Sequence, residues 1–193
     1  PLISRVAELG MPAVGLTEQS NMCSLVRFYK AAMGAGVKPI IGADIWLENP
    51  DEPETPFRLT LLARDNDGYL NLTEIISQGY TEGQRYGKPI VQKSWLESRA
   101  KGLIVLSGAK MGDVGKALLA GKPELARERA DYWRNLYPDS YYLELQRTGR
   151  AGDEDCLHMS VELAAELGLP VVATNDVHFL EADDFEAHEA RVC

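Results

Sequence analysis

Cysteine, cationic charge and long apolar runs are what this sequence is short of. Cys23, Cys156 and Cys193 are its only three cysteines in 193 residues. They are an odd number without zinc-type spacing, and a chain of this size needs no disulfide to supplement its core, so they read as free thiols. The apolar runs at 102–106 and 169–173 fall far below the about 20 residues a membrane-spanning helix needs, and no charged-then-apolar leader opens the chain. The expectation is a soluble, cytoplasmic protein with no membrane partner. Lys+Arg number 20 against 29 Asp+Glu, a net charge of −9 with a pI near 4.9. Non-specific nucleic-acid affinity comes mainly from Lys and Arg neutralising phosphates, so contact with DNA would have to come through a larger assembly. An initiating methionine is missing at Pro1, and the helical pattern over 184–192 has no stop signal. The reading is a single α/β domain over 1–193, cut from a longer chain.

What is present is alternation. Short stretches rich in Val, Ile, Leu and Tyr at 13–16, 39–46, 58–63, 102–107, 141–146 and 171–174 read as buried strands. Helical periods lie between them. Met22, Leu25, Val26, Tyr29 and Met33 form one apolar stripe, with Asn21 as cap and Gly34 or Gly36 as stop. Leu157, Val161, Ala164 and Ala165 form a second, Leu72, Ile75 and Ile76 a third. A more charged helix is expected at 123–136, with Pro123 in its first turn. Residues 78–89 read as a long loop. Alternating strands and helices favour a parallel sheet or a barrel.

An internal echo is the most informative feature. The segment AELGMPAVGLTE at 7–18 matches AELGLPVVATND at 165–176, a constant offset of 158. Each is a helix end, a Gly stop, a Pro, a short strand and a carboxylate. A looser copy runs from Gly36 to Asp44. In β/α barrels the C-terminal rim of the strands carries ligand residues, so Glu18, Asp44 and Asp176 are expected at one mouth. The competing reading is that the same turn grammar is reused for folding alone. Asp176 and His178 together suit Zn, Mn or Fe, although an Asp that only orients a His is equally common. His158 and His188 read as structural or solvated. The glycines at 108–115 lack P-loop spacing, and Ser107-Gly108 lacks the flanks of a nucleophile elbow.

Four segments in order, GMPAVGLTEQSNM at 10–22, KPIIGAD at 38–44, LLARDNDGYLNL at 61–72 and VVATNDVHF at 171–179, resemble the polymerase and histidinol phosphatase (PHP) domain family. Among its members the chain looks like those that open the alpha subunits of bacterial replicative polymerases. The resemblance implies a distorted seven-stranded β/α barrel, TIM-like, here lacking its first strand and the His-x-His motif that would precede Pro1. It also implies a metal cluster at the C-terminal rim for phosphoester hydrolysis. Where the family has metal ligands, this chain has Glu18, Gln19, Asp44, Arg58, Ala109, Thr148, Asp176 and His178, and only Asp176 and His178 match the pattern outright. Arg has donors only and cannot ligate a metal, while Gln19 and Thr148 offer neutral oxygens and Ala109 nothing.

The site therefore reads as vestigial, with no catalytic residue, no cofactor and no metal expected. The alternative is Zn or Mn at Asp176 and His178. Arg58 is expected among Glu18, Asp44 and Asp176 in place of the metal charge, as planar, bidentate pairing allows, rather than pointing to solvent. By resemblance the parent would be a DNA-directed DNA polymerase, a nucleotidyltransferase of DNA replication that uses Mg, with its palm carboxylates beyond Cys193. The domain would be a structural module bound to the rest of the alpha subunit and a dock for the proofreading exonuclease subunit. Residual metal-dependent phosphoesterase or 3′-5′ exonuclease activity is the alternative, and a free-standing barrel enzyme acting on a sugar or amino-acid phosphate a distant third. The 78–89 stretch and the 123–136 helix are both candidate docking faces.

Overall fold

The computed structural model describes residues 1–192. Cys193, expected as a free thiol, lies outside the described residues, whereas Cys23 is exposed, Cys156 is buried and both are free. No helix among the described residues is long and apolar enough to cross a membrane. Among the described residues eight strands form one mixed sheet: β1 (Ala13–Gln19), β2 (Lys38–Leu47), β3 (Phe57–Ala63), β4 (Gln84–Arg85), β5 (Lys88–Val91), β6 (Leu103–Leu106), β7 (Tyr141–Gln146) and β8 (Val171–Thr174). The helices are α1 (Leu2–Glu8), α2 (Leu25–Gly34), α3 (Asn66–Thr81), α4 (Lys93–Glu97), α5 (Asp113–Leu119), α6 (Pro123–Leu136), α7 (Asp153–Leu167) and α8 (Phe185–Val192).

The main ladder runs β1-β2-β3-β6-β7-β8. It is parallel at β1-β2, β6-β7 and β7-β8, and antiparallel on both sides of β3. The sheet is not closed, because β1 pairs only with β2 and β8 only with β7 among the described residues. This is the strand sequence of a barrel opened at one seam, with the short β4-β5 hairpin added beside the end of β2.

Strand alternation sorts the side chains into two sets. In the β2-β3 register Ala43 faces Leu61, Ile45 faces Leu59 and Leu47 faces Phe57. All six are buried and pack with Leu72, Ile75, Leu96, Val105, Trp133, Tyr141 and Leu143 into the main core between sheet and helices. The other face carries Asp44, Arg58 and Thr60 on β2 and β3, and Glu144 and Gln146 on β7. The sheet's concave side thus carries its charged strand residues, beside Trp46, Leu62 and Ile104. A smaller core of Val6, Ala32 and Val37 sits under α1 and α2.

Local chemistry accounts for several boundaries. Asp65 caps α3 by accepting from Gly68 N at 2.9 Å, and Pro123 occupies the first turn of α6. Gly68 is required by packing: a Cβ there would stand 1.8 Å from the carbonyl oxygen of Gly102.

Three expectations are corrected. The 78–89 stretch is not a loop, since α3 runs on to Thr81 and β4 and β5 pair across Tyr86 and Gly87. Both turn residues have positive φ, 52° and 71°, the signature of a tight hairpin turn. Along α7 the buried face is Cys156, Ser160, Leu163 and Ala164, one position off the expected stripe, which leaves Val161 exposed. The helix presents to β7 and α5 whichever face their surfaces accept, and its small polar residues fit there. In α2 the buried residues are Phe28 and Ala32, while Val26, Tyr29 and Met33 of the expected stripe point outward. That helix begins after Ser24, and Asn21 instead forms a turn by accepting from Cys23 N at 3.0 Å.

Candidate functional site

The concave face gathers its charges at the C-terminal ends of β2 and β8. Asp44 and Arg58 are diagonal neighbours on one face of the antiparallel β2-β3 pair, the geometry in which long side chains meet. The Arg58 guanidinium donates to Asp44 Oδ2, and its Nη1 lies 3.9 Å from Asp176 Oδ1. Asp44 is buried, and its Oδ1 has no hydrogen-bond partner among the described residues. Asp176 Oδ2 accepts from Arg150 Nη1 at 2.7 Å and meets His178 Nε2 at 3.1 Å. Burial pushes the Asp176 carboxyl up, but the hydrogen bonds from Arg150 and His178 and the charges of His178 and Arg58 outweigh it and hold it below its ordinary value. The His178 ring stacks on that of His188 at 5.1 Å.

Beside this cluster, Glu144 is a buried carboxylate with three hydrogen-bond donors. It accepts from Gly108 N at 3.0 Å, from Gln146 Nε2 at 3.1 Å and from the Thr174 hydroxyl. A further step along the rim, Asp153 takes Lys110 Nζ at 2.5 Å, Thr148 Oγ1 at 2.6 Å and Thr148 N at 2.8 Å. The Lys110 and Thr148 hydrogen bonds hold the Asp153 carboxyl far below the ordinary carboxylate range.

Of the residues singled out in the sequence, Asp44, Arg58, Asp176 and His178 come together. Glu18 does not join them: its carboxylate accepts from Ser24 Oγ at 2.7 Å and Ser24 N at 3.0 Å, closing the start of α2. The register explains this correction, because Glu18 pairs with Ala43 on the helix-covered face, whereas Gln19 pairs with Asp44 on the concave one. Gln19 Nε2 donates to the Asp44 carbonyl at 2.8 Å. Thr148 is committed to Asp153, and Ala109 is buried with φ 45° and no polar group to offer. Sequence reasoning missed Arg150, Lys110, Asp153 and Glu144. Only Glu144 left a signal, a lone carboxylate inside the apolar strand YYLELQ.

A metal cluster of the kind the rim position implies needs several anionic or imidazole ligands around open coordination sites. The residues present do not fit it. Among the described residues no group of three or more His, Cys, Asp or Glu is arranged to hold an ion. Each carboxylate at the mouth instead faces a side-chain cation or donor: Arg58 at Asp44, Arg150 at Asp176, Lys110 at Asp153. Such an arrangement neutralises converging carboxylates.

Comparison with known proteins agrees with this architecture. The DNA polymerase III subunit alpha of Pseudomonas aeruginosa is 54% identical over 193 residues, covering 100% of this chain and 16% of that protein. The DNA polymerase III subunit alpha of Escherichia coli K12 is 49% identical over 192 residues, covering 100% of this chain and 17% of that protein. The chain thus spans about a sixth of the length of the curated relatives it matches. Two solved structures share the fold at low identity. A candidate metal-dependent phosphoesterase from Bifidobacterium adolescentis has a TM-score of 0.53 at 10% identity, over 98% of this chain and 89% of that one. An amidohydrolase from Chromobacterium violaceum has a TM-score of 0.56 at 13% identity, with the same coverage of 98% and 89%. The PHP domain profile matches residues 1–148, most of the chain, and the chain belongs to the PHP domain family.

Proposed function

We propose that this chain is the PHP region of a bacterial replicative DNA polymerase alpha subunit, serving it as a structural module and as a dock for the proofreading exonuclease subunit, not as a phosphoesterase. The polymerase assignment draws on full-chain identity to alpha subunits. The structural role is carried by one observation: Arg58 stands between Asp44 and Asp176, where a bound cation would otherwise balance them. A guanidinium holds its charge at any relevant pH and brings donors only, so it ties the strand ends together without activating water. In this reading DNA is met only through the parent polymerase, whose Mg-dependent nucleotidyl transfer uses residues outside this chain.

A second reading, residual metal-dependent phosphoesterase or 3′-5′ exonuclease with Zn or Mn at Asp176 and His178, is favoured by the unpartnered Oδ1 of Asp44. Elemental analysis of the full-length alpha subunit, with anomalous diffraction at the Zn and Mn edges, separates the two. The structural reading expects no stoichiometric metal beside Asp176 and His178. Two or more metals there, with hydrolysis of a 3′-terminal nucleotide, would establish the second.

A further inference from the structure

The β4-β5 hairpin departs from ordinary hairpin chemistry at two places. Arg85 and Lys88 are direct cross-strand partners on either side of the Tyr86-Gly87 turn. Partners in an antiparallel pair project from one face with Cβ atoms roughly 5 Å apart, and like charges placed so repel. The turn itself puts Tyr86 at φ 52°, where a two-residue hairpin loop prefers Asn, Asp or Gly. Neither choice helps the hairpin fold. Departures of this kind, with no folding gain, are expected where a surface serves a ligand.

The hairpin is nevertheless held firmly. Ile90 N donates to the Gly83 carbonyl at 2.9 Å, and a Cβ on Gly83 would stand 2.0 Å from the Ile90 carbonyl oxygen. On this fixed mount the two cations are left without counter-charges. Neither forms an ion pair among the described residues, and residues 83–92 contain no Asp or Glu. Lys88 Nζ lies 4.5 Å from the centre of the Trp46 ring, which pairs with Arg58 on the concave side. Tyr86 stands at the tip, 58% exposed. Two unpaired cations around an exposed aromatic ring offer charge to phosphates and a flat face to a base, the combination that holds single-stranded nucleic acid. An acidic peptide would use the charges and leave the ring without a role. Duplex DNA keeps its bases stacked inside and gives Tyr86 nothing to stack on.

Resting on the assignment to a polymerase alpha subunit, we propose that the 84–89 hairpin is a contact for single-stranded DNA held by the parent enzyme, with Arg85 and Lys88 on its phosphates and Tyr86 against a base. The net charge of −9 leaves most of the affinity to the parent, and the hairpin adds a local contact to it.

The test measures fluorescence anisotropy of labelled oligonucleotides titrated with full-length alpha subunit. Arg85→Gln with Lys88→Gln removes two phosphate contacts, so the slope of log affinity against log salt for single-stranded DNA should fall by about 1.4. Tyr86→Asn suits the turn better than tyrosine, so the melting temperature should hold or rise while single-strand affinity falls about fivefold or more. Affinity for blunt duplex should stay at the wild-type value in both variants. Folded variants with wild-type single-strand affinity and salt slope overturn the hairpin contact and leave the polymerase assignment intact. Wild-type alpha subunit that extends no primer overturns that assignment itself. Equal losses on blunt duplex overturn the choice of single strand. Loss of exonuclease-subunit binding with DNA affinity unchanged overturns the proposal in favour of a protein partner.

Discussion

Arg58 and Asp176 belong to segments three strands apart in the ladder, yet Arg58 Nη1 and Asp176 Oδ1 stand 3.9 Å from each other. Across a flat sheet three intervals of about 4.8 Å would separate their backbones by about 14 Å. The sheet therefore curls, and the Asp44-Arg58-Asp176 chain ties β2 and β3 to the segment after β8 across the concave side.

Removing the cation from that chain leaves Asp44 buried without a counter-charge. Arg58→Met is expected to destabilise the domain by about 2 to 4 kcal/mol, and Arg58→His by a similar amount at neutral pH, read from urea midpoints. In a double-mutant cycle Arg58→Met with Asp44→Asn should cost clearly less than the two single losses added together. Additive losses would mean that the pair is not coupled.

The depressed carboxyls at Asp176 and Asp153 fix the sign of one pH dependence. A carboxyl whose folded pKa lies below its unfolded value stabilises the fold above the unfolded value, about 4. That contribution is lost as pH falls through the folded value. Melting temperature should hold near neutrality and drop below about pH 4. Lys110→Met with Thr148→Val removes the two principal causes at Asp153 and should make the acid limb shallower. An acid limb of unaltered slope would count against the assignment.

Glu18 should behave as a helix-start group. Glu18→Ala is expected to lower stability by about 1 kcal/mol through the lost contacts to Ser24. Metal content, measured alongside, should not change. A metal that binds the wild type and is lost in the variant would return Glu18 to the rim site.

Gly68 tests the packing of α3 against the turn before β6. In Gly68→Ala the new methyl meets backbone rather than a movable side chain, at 1.8 Å from the Gly102 carbonyl oxygen. A loss of about 3 kcal/mol or more is expected by calorimetry, despite alanine's better helix propensity. A stabilised variant would show that the helix and turn are farther apart.

Local patterns made much of the architecture legible. β7 and β8 occupy their expected spans, and α6 starts at Pro123 as its first-turn proline requires. Short-range periodicity and turn chemistry are properties of neighbouring residues, so they survive without tertiary information. The hairpin over 84–91 was not legible, because strands of two and four residues carry too little pattern. The faces of α2 and α7 were misjudged for a different reason. Both helices carry apolar residues on more than one side, and only the packing surface selects the buried one.

The sequence by itself determined the order of six of the strands and of the helices with a clear apolar period, the Gly-Pro turns that start the strands carrying Asp44 and preceding Asp176, and the presence of an arginine where a metal ligand is expected. Tertiary structure alone decided which neighbours those charges acquired. Pairing register turned Gln19 to the concave face and Glu18 to the helix side, and sheet curvature carried Asp176 to Arg58. Arg150 entered the rim from the loop before α7, Asp153 from the first residue of α7 and Lys110 from the single 3-10 turn Ala109–Met111, positions that no apolar periodicity marks. Electrostatic partners are chosen by distances across the fold, and sequence separation does not encode them.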